Sequence, residues 1–144
     1  MMLEIKPLLP ESVQAAHDIE VQSLSVPWSE NALLELVSSQ TARYFVAYVD
    51  DKAVGIGGFY LILDECMITN IAVSGKFRRQ KIGTAILNSI LDSAALRGCT
   101  FATLEVAAKN IAALNLYKTH GFFAVGERKN YYKNDDAVLM RKNI

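Results

Sequence analysis

The sequence predicts an α/β (α+β) fold, a mixed central sheet whose elements run βααβββαβαββ, and three observations lead there. First, 144 residues with 51% apolar and 21% charged side chains suffice for one packed core and argue against disorder. Second, three β-branched and aromatic runs follow one another, Tyr44 to Val49, Ala53 to Leu63 and Cys66 to Val73, with Asp50-Asp51 and Asp64-Glu65 between them. Such runs, punctuated by turn residues, read as a meander. Third, helical patterns then alternate with strand patterns, so the sheet combines antiparallel neighbours with a parallel crossover.

Leu3 to Leu8 is a short strand. After Pro10, Val13, Ala16 and Ile19 recur at helical spacing up to about Leu24. Pro27-Trp28 interrupts the pattern, and Ser29 caps a second helix whose Leu33, Leu34 and Val37 form one stripe. Beyond the meander, Ile82, Ile86, Leu87, Ile90, Leu91 and Ala94 mark a long helix stopped by Gly98. Thr100 to Ala107 is a strand, Asn110 to His120 a helix closed by Gly121, and strands over Phe122 to Asn130 and Ala137 to Arg141 complete the chain. No repeat or Pro/Gly/Ser-rich linker divides it, so one domain over residues 1–144 is expected. Gly57-Gly58, inside a strand pattern, marks a bulge or a close backbone approach.

Fifteen Lys+Arg balance fifteen Asp+Glu, which leaves no global field for nucleic acid or an anionic membrane. The two cysteines, Cys66 and Cys99, sit in apolar runs without a CxxC partner and read as reduced core thiols. His17 and His120 are isolated, so no metal is assigned. With no apolar run of membrane-spanning length and no charged leader, a cytoplasmic protein is expected.

The basic stretch Lys76-Phe77-Arg78-Arg79-Gln80-Lys81 leads into Ile82-Gly83-Thr84 at a helix start. Free amides at a helix N-terminus, the positive end of its dipole and flanking cations suit a pyrophosphate. Neither a Walker A loop nor a dinucleotide fingerprint is present. A second constellation joins Glu105 at a strand end to Asn110 and Tyr117. Strand alternation puts Glu105 on a face with Phe101 and Thr103, opposite Leu104 and Val106. Taken singly, Glu105 reads equally as a solvated strand residue, Asn110 as a helix cap and Tyr117 as a core aromatic.

Asn70-Ile71-Ala72-Val73, Arg78 to Gly83, Leu104-Glu105-Val106, Asn110, Leu116-Tyr117 and Gly121-Phe122 together resemble the signature of the GNAT acetyltransferases, over essentially the whole chain. The resemblance implies the GNAT acyl-CoA N-acyltransferase fold and acetyl-CoA as co-substrate. It implies that the backbone of Ile71, Ala72 and Val73 pairs with the pantetheine arm and that Arg78, Arg79, Gln80, Lys81, Ile82, Gly83 and Thr84 surround the pyrophosphate. It also implies that Asn110 helps bind the cofactor, Glu105 accepts the proton, and Tyr117 donates one to the departing thiolate. The family loop carries Gly where this chain has Lys81; we expect binding to survive, with Lys81 at a helical φ and its ammonium adding a phosphate contact.

Val26-Pro27-Trp28-Ser29, Leu63-Asp64-Glu65 and Arg128-Lys129-Asn130-Tyr131-Tyr132 are similar to the bacterial ribosomal-protein-alanine N-acetyltransferases within that family. This implies an acceptor that is a protein N-terminus, the alanine of small-subunit ribosomal protein eighteen, with Trp28, Tyr131 and Tyr132 bordering its groove. Asp64-Glu65 and Asp135-Asp136 are candidates to attract a basic tail, or are merely solvated turn acids. A small-amine or lysine acetyltransferase is the nearest alternative, and a non-catalytic acyl-CoA sensor the alternative of another class.

Overall fold

Period-two burial in the strands and a three-to-four residue stripe in the helices build a seven-stranded sheet covered on both faces. A computed structural model describes residues 2–24, 26–78 and 81–144. The strands are β1 (Leu3–Pro7), β2 (Ala42–Val49), β3 (Lys52–Ile62), β4 (Glu65–Val73), β5 (Phe101–Ala107), β6 (Phe123–Tyr132) and β7 (Asp135–Asn143). The helices are α1 (Val13–Ser23), α2 (Glu30–Val37), α3 (Ile82–Leu96) and α4 (Ile111–Thr119). The sheet order is β1-β2-β3-β4-β5-β7-β6. Only β4 and β5 run parallel; the other neighbours are antiparallel. The last strand therefore inserts between β5 and β6, and the element order is the one the sequence predicts.

Local chemistry accounts for the boundaries. Pro10–Ser12 forms a 3-10 turn rather than the first turn of α1, fixed by the Ser12 hydroxyl, which accepts from the Leu9 amide at 2.9 Å. Ser29 caps α2 by accepting from Ala32 N at 3.1 Å, as its residue type predicts. Gly98, at φ +84°, ends α3 in the left-handed conformation that costs glycine least. Asp50 and Asp51, both at positive φ, make the two-residue turn between β2 and β3. The final hairpin is longer than expected, with β6 reaching Tyr132 and β7 running from Asp135 to Asn143.

α3 packs on one face of the sheet, where Ile82, Ile86, Leu87 and Ile90 meet Val54, Ala102, Leu104 and Met140. The other face carries α1 and α2, whose Val13, Ala16, Ile19 and Leu33 bury against Tyr44, Val46, Ile56 and Ala72. Gly57 permits the α3 contact, because a Cβ there would lie 2.5 Å from Ile86 Cγ2. The register shifts beside Gly58, where β4 carries one residue more than β3. That bulge lets Cys66, Ile68, Ile71 and Val73 all face α3, although an unbroken period of two would separate Ile68 from Ile71.

Candidate active site

β4 and β5 pair only at Glu65 with Phe101, Cys66 with Ala102 and Met67 with Thr103. Beyond Met67 the strands part, and the edge of β4 opens onto a cleft of about 560 Å³ between β4, α3 and α4. Of the residues expected around the cofactor, Ile71, Val73, Arg78, Lys81, Ile82, Gly83 and Thr84 line this cleft, and so does Tyr117. Phe77 and Leu116, which stand in the quoted motifs without a role assigned to them, line it as well, and so do Ala112 and Ala113, which no motif singled out. The Ala72 side chain is buried on the opposite face of the sheet, so only its backbone belongs to this strand edge. Asn110 lies outside the lining and caps α4, accepting from Ala113 N at 3.2 Å. Arg79 and Gln80 lie outside the described residues.

The cleft has the chemistry of an acyl-CoA site. Its walls are aliphatic and aromatic, while the Val73 carbonyl is turned outward and accepts from Arg78 Nε at 3.3 Å. Because β5 pairs with β4 only as far as Met67, the edge of β4 beyond it is open to hydrogen bonding with an extended arm. At its mouth, the amides of Ile82, Gly83 and Thr84 lack intrahelical acceptors, since the first helical bond of α3 runs from Ala85 N to Lys81 O. A Cβ on Gly83 would project beside Leu116 and Ile71, so the glycine keeps that space open.

Lys81 departs from the expected helical φ. It occupies the left-handed region at φ 63° and ψ 20°, as the N-cap of α3. The lysine bears a steric cost that glycine escapes, on the order of 1–2 kcal/mol.

Glu105 projects from the opposite face of β5, as alternation predicts, with Phe101 and Thr103. Its surroundings include a cation: Arg128 of β6 lies 3.4 Å from Glu105 Oε1 and 5.5 Å from the Tyr131 ring. Arg128 stands in a quoted motif, yet a strand separation of more than twenty residues gives no local signal that it meets Glu105. Tyr131 and Tyr132 meet edge to face at 5.0 Å. Burial raises the Tyr132 hydroxyl, and the Glu105 carboxyl raises it further. Tyr117 is 7% exposed and packs edge-on against Phe122 at 5.7 Å. Burial, with a smaller contribution from Tyr132, pushes its hydroxyl up to about 12.

Trp28 stacks on Tyr60 at 6.1 Å rather than on Tyr131 or Tyr132. The turn acids are committed internally. Asp64 accepts from Thr100, Glu65 from Thr103, Asp135 from Lys109 N and Asp136 from Asn130 N. They pin hairpins to the sheet, and the Asn130 amide holds Asp136 below the usual carboxylate range. Cys66 and Cys99 are free and buried, and burial raises the Cys66 thiol to about 12. Among the described residues no group of three or more His, Cys, Asp or Glu is placed to hold a metal, and no helix is long and apolar enough to cross a membrane.

A sheet that parts between β4 and β5, with cationic and amide donors at the mouth of an apolar cleft, defines a class of acyl-CoA-dependent transferase. The chain belongs to the acetyltransferase (GNAT) family, whose model matches residues 13–122. It is an acetyltransferase with acetyl-CoA as co-substrate. It is 34% identical over 145 residues to the [ribosomal protein bS18]-alanine N-acetyltransferase of Escherichia coli (strain K12), covering 96% of each chain. The crystal structure of the ribosomal-protein-S18-alanine N-acetyltransferase from E. coli superposes with a TM-score of 0.90 and 32% identity, over 99% of this chain and 94% of that one. The PaiA N-acetyltransferase of Thermoplasma acidophilum, solved with coenzyme A, shares the fold at a TM-score of 0.85 and 17% identity, over 100% of both chains.

Proposed function

We propose that this acetyltransferase acts on the N-terminal α-amine of a protein, the alanine of ribosomal protein bS18, with Glu105 as proton acceptor and Tyr117 as hydrogen-bond donor to the departing sulfur. The acceptor rests on relatives that carry that activity in their names over nearly the whole chain. The residue assignment rests on one observation: the pairing of β4 with β5 ends at Met67 and Thr103, Glu105 stands on β5 two residues beyond that point, and Tyr117 lines the cleft that opens there. Base and donor thus belong to one neighbourhood, although Glu105 and Tyr117 project from elements on different faces of the sheet.

Acetyl-CoA supplies an activated acyl carbon. The amine must be neutral to attack it, because an ammonium has no lone pair. An α-amine with a pKa near 7.7–8.0 is roughly a tenth to a fifth neutral at pH 7, while a lysine near 10.4 is well under a thousandth neutral. As the N–C bond forms and the C–S bond breaks, Glu105 takes the amine proton, directly or through one water. Tyr117, raised to about 12, holds its own proton more tightly than a thiol of pKa about 8.5 does, so it steadies the thiolate and solvent completes its protonation. Arg128 beside Glu105 places a fixed cation where the amine arrives, which disfavours an ammonium relative to a neutral amine.

The test is mass spectrometry of an Ala-initiated bS18 N-terminal peptide and an N-blocked, lysine-containing control, each incubated with acetyl-CoA and the enzyme. A mass gain confined to the free N-terminus is expected; a gain on the control alone refutes the acceptor assignment.

A further inference from the structure

Outside the cleft, a connected set of part-buried and buried polar contacts holds Trp28, the chain's single tryptophan. Its amide donates to Glu20 Oε1 at 2.7 Å, and its carbonyl accepts from His17 Nδ1–H at 2.9 Å. Both partners come from α1. They are three residues apart and therefore on one side of the helix. Glu20 is 0% exposed, and its second oxygen accepts from the Tyr44 hydroxyl.

Helix packing alone does not call for this arrangement. The other buried positions of α1 are Val13, Ala16 and Ile19, and an aliphatic residue at position 20 would bury without the desolvation cost of a carboxyl. What a carboxyl does, and an aliphatic group cannot, is hold the amide of a loop residue between Pro27 and the cap Ser29. With both ends of its peptide unit held, Trp28 lays its ring on Tyr60.

Sheet register says where that ring stands. Tyr60 pairs with Met67 of β4, and Met67 pairs with Thr103 of β5. Directly paired residues share a sheet face, and Glu105 is two residues beyond Thr103 on the same face. Trp28 and Tyr60 thus rise over the sheet face that carries Met67, Thr103 and Glu105, at the side where α1 and α2 stop covering it.

We infer that His17 and Glu20 are positioning residues for acceptor recognition: by gripping the Trp28 peptide unit from α1 they set a rigid Trp28–Tyr60 wall against which the acceptor's N-terminal segment is held. This rests on the reading of the Glu105 face as the acceptor side. Neither residue touches substrate. Their effect is transmitted through Trp28, and the cofactor cleft lies on the other face.

The experiment uses the full chain and the Ala-initiated bS18 peptide. His17→Ala is expected to raise the peptide KM about three- to tenfold, the range one lost hydrogen bond supports, with kcat and the acetyl-CoA KM within about twofold of the parent. Trp28 emission, read without interference from another tryptophan, should shift to longer wavelength in the variant and should change in the parent on peptide addition. His17→Asn, which restores a donor of similar reach, should recover both readouts in part. Glu20→Gln retains an acceptor for the Trp28 amide and should lie nearer the parent than Glu20→Ala; if the latter does not fold, the two His17 variants still decide. An unchanged peptide KM in His17→Ala, or equal changes in both KM values, overturns the inference. Should the parent acetylate only the lysine control, the N-terminal reading fails, and the clamp is judged by the same KM comparison on that acceptor.

Discussion

The cleft between β4, α3 and α4 and the proposed acceptor face are built from different materials. The cleft is a gap between core elements: its walls continue the apolar stripes of β4, α3 and α4, and its charged mouth is the start of a helix. The proposed acceptor face is an assembly of distant residues, Trp28 from a loop, Tyr60 from β3, Glu105 from β5 and Arg128 with the two tyrosines from the final hairpin. A site made from core periodicity is preformed by whatever folds the domain. A site made by convergence depends on individual contacts, and those contacts are the place where acceptor choice can change without disturbing cofactor binding.

That difference is broken most directly at Glu105. Glu105→Gln should lower kcat by about 10²–10⁴-fold, the range of a lost general base, while isothermal titration shows acetyl-CoA affinity within about twofold of the parent. Comparable losses in both quantities would mean that the two regions are one.

Tyr117 links the two regions, since it lines the cleft and packs against Phe122, the residue that leads into the final hairpin. Tyr117→Phe should cost less than Glu105→Gln, about tenfold in kcat, because a thiolate leaves without full protonation; steady-state kinetics in the reverse order rejects the assignment. The raised hydroxyl also fixes a sign. A folded value of about 12 against an unfolded value near 10 stabilises the fold fully below pH 10, and that contribution is lost as pH rises through about 12. Parent and Tyr117→Phe should therefore show converging resistance to alkali only above pH 10, as followed by circular dichroism.

Arg128 tests the acceptor side alone. It is a partly exposed pair to Glu105, so its energetic weight is small, about 0.2–1 kcal/mol. Arg128→Gln should raise the ratio of lysine to N-terminal acetylation about two- to fivefold and leave acetyl-CoA titration unchanged.

These two regions also differ in how legible they were. Element order, the Ser29 cap, the Gly98 and Gly121 stops and the alternation that turns Glu105 away from Leu104 follow from local chemistry, and the structure carries each of them. The cleft residues on β4 and α3 followed from the same periodicity together with the family motif. What local chemistry did not carry was pairing at long range: Arg128 with Glu105, Trp28 with Tyr60, and the buried Glu20, an acidic residue within a helical stripe that gave no sign of its partners. Paired acids show the same limit. Asp64-Glu65 and Asp135-Asp136 read in the sequence as turn acids without partners, because Thr100, Thr103, Lys109 and Asn130 are supplied by neighbouring elements or by the hairpin itself.

Lys81 gives the smallest and most pointed test, because at this position backbone and side chain pull in opposite directions. The left-handed conformation penalises any residue with a Cβ by roughly 1–2 kcal/mol. Glycine removes that penalty and returns roughly 0.5–1 kcal/mol to the unfolded chain as conformational freedom. Lys81→Gly should therefore stabilise the protein by about 0.5–1 kcal/mol, a rise in melting temperature of about 2–4 °C for a chain of this size. The ammonium at the cleft mouth works the other way on an anionic ligand. The parent's acetyl-CoA affinity should fall more steeply with added salt than that of Lys81→Gly, and the two should converge near 1 M salt, where screening acts within about 3 Å. A melting temperature that drops in Lys81→Gly would show that the lysine is held by a contact worth more than its strain; parallel salt dependences would show that its charge never reaches the phosphates.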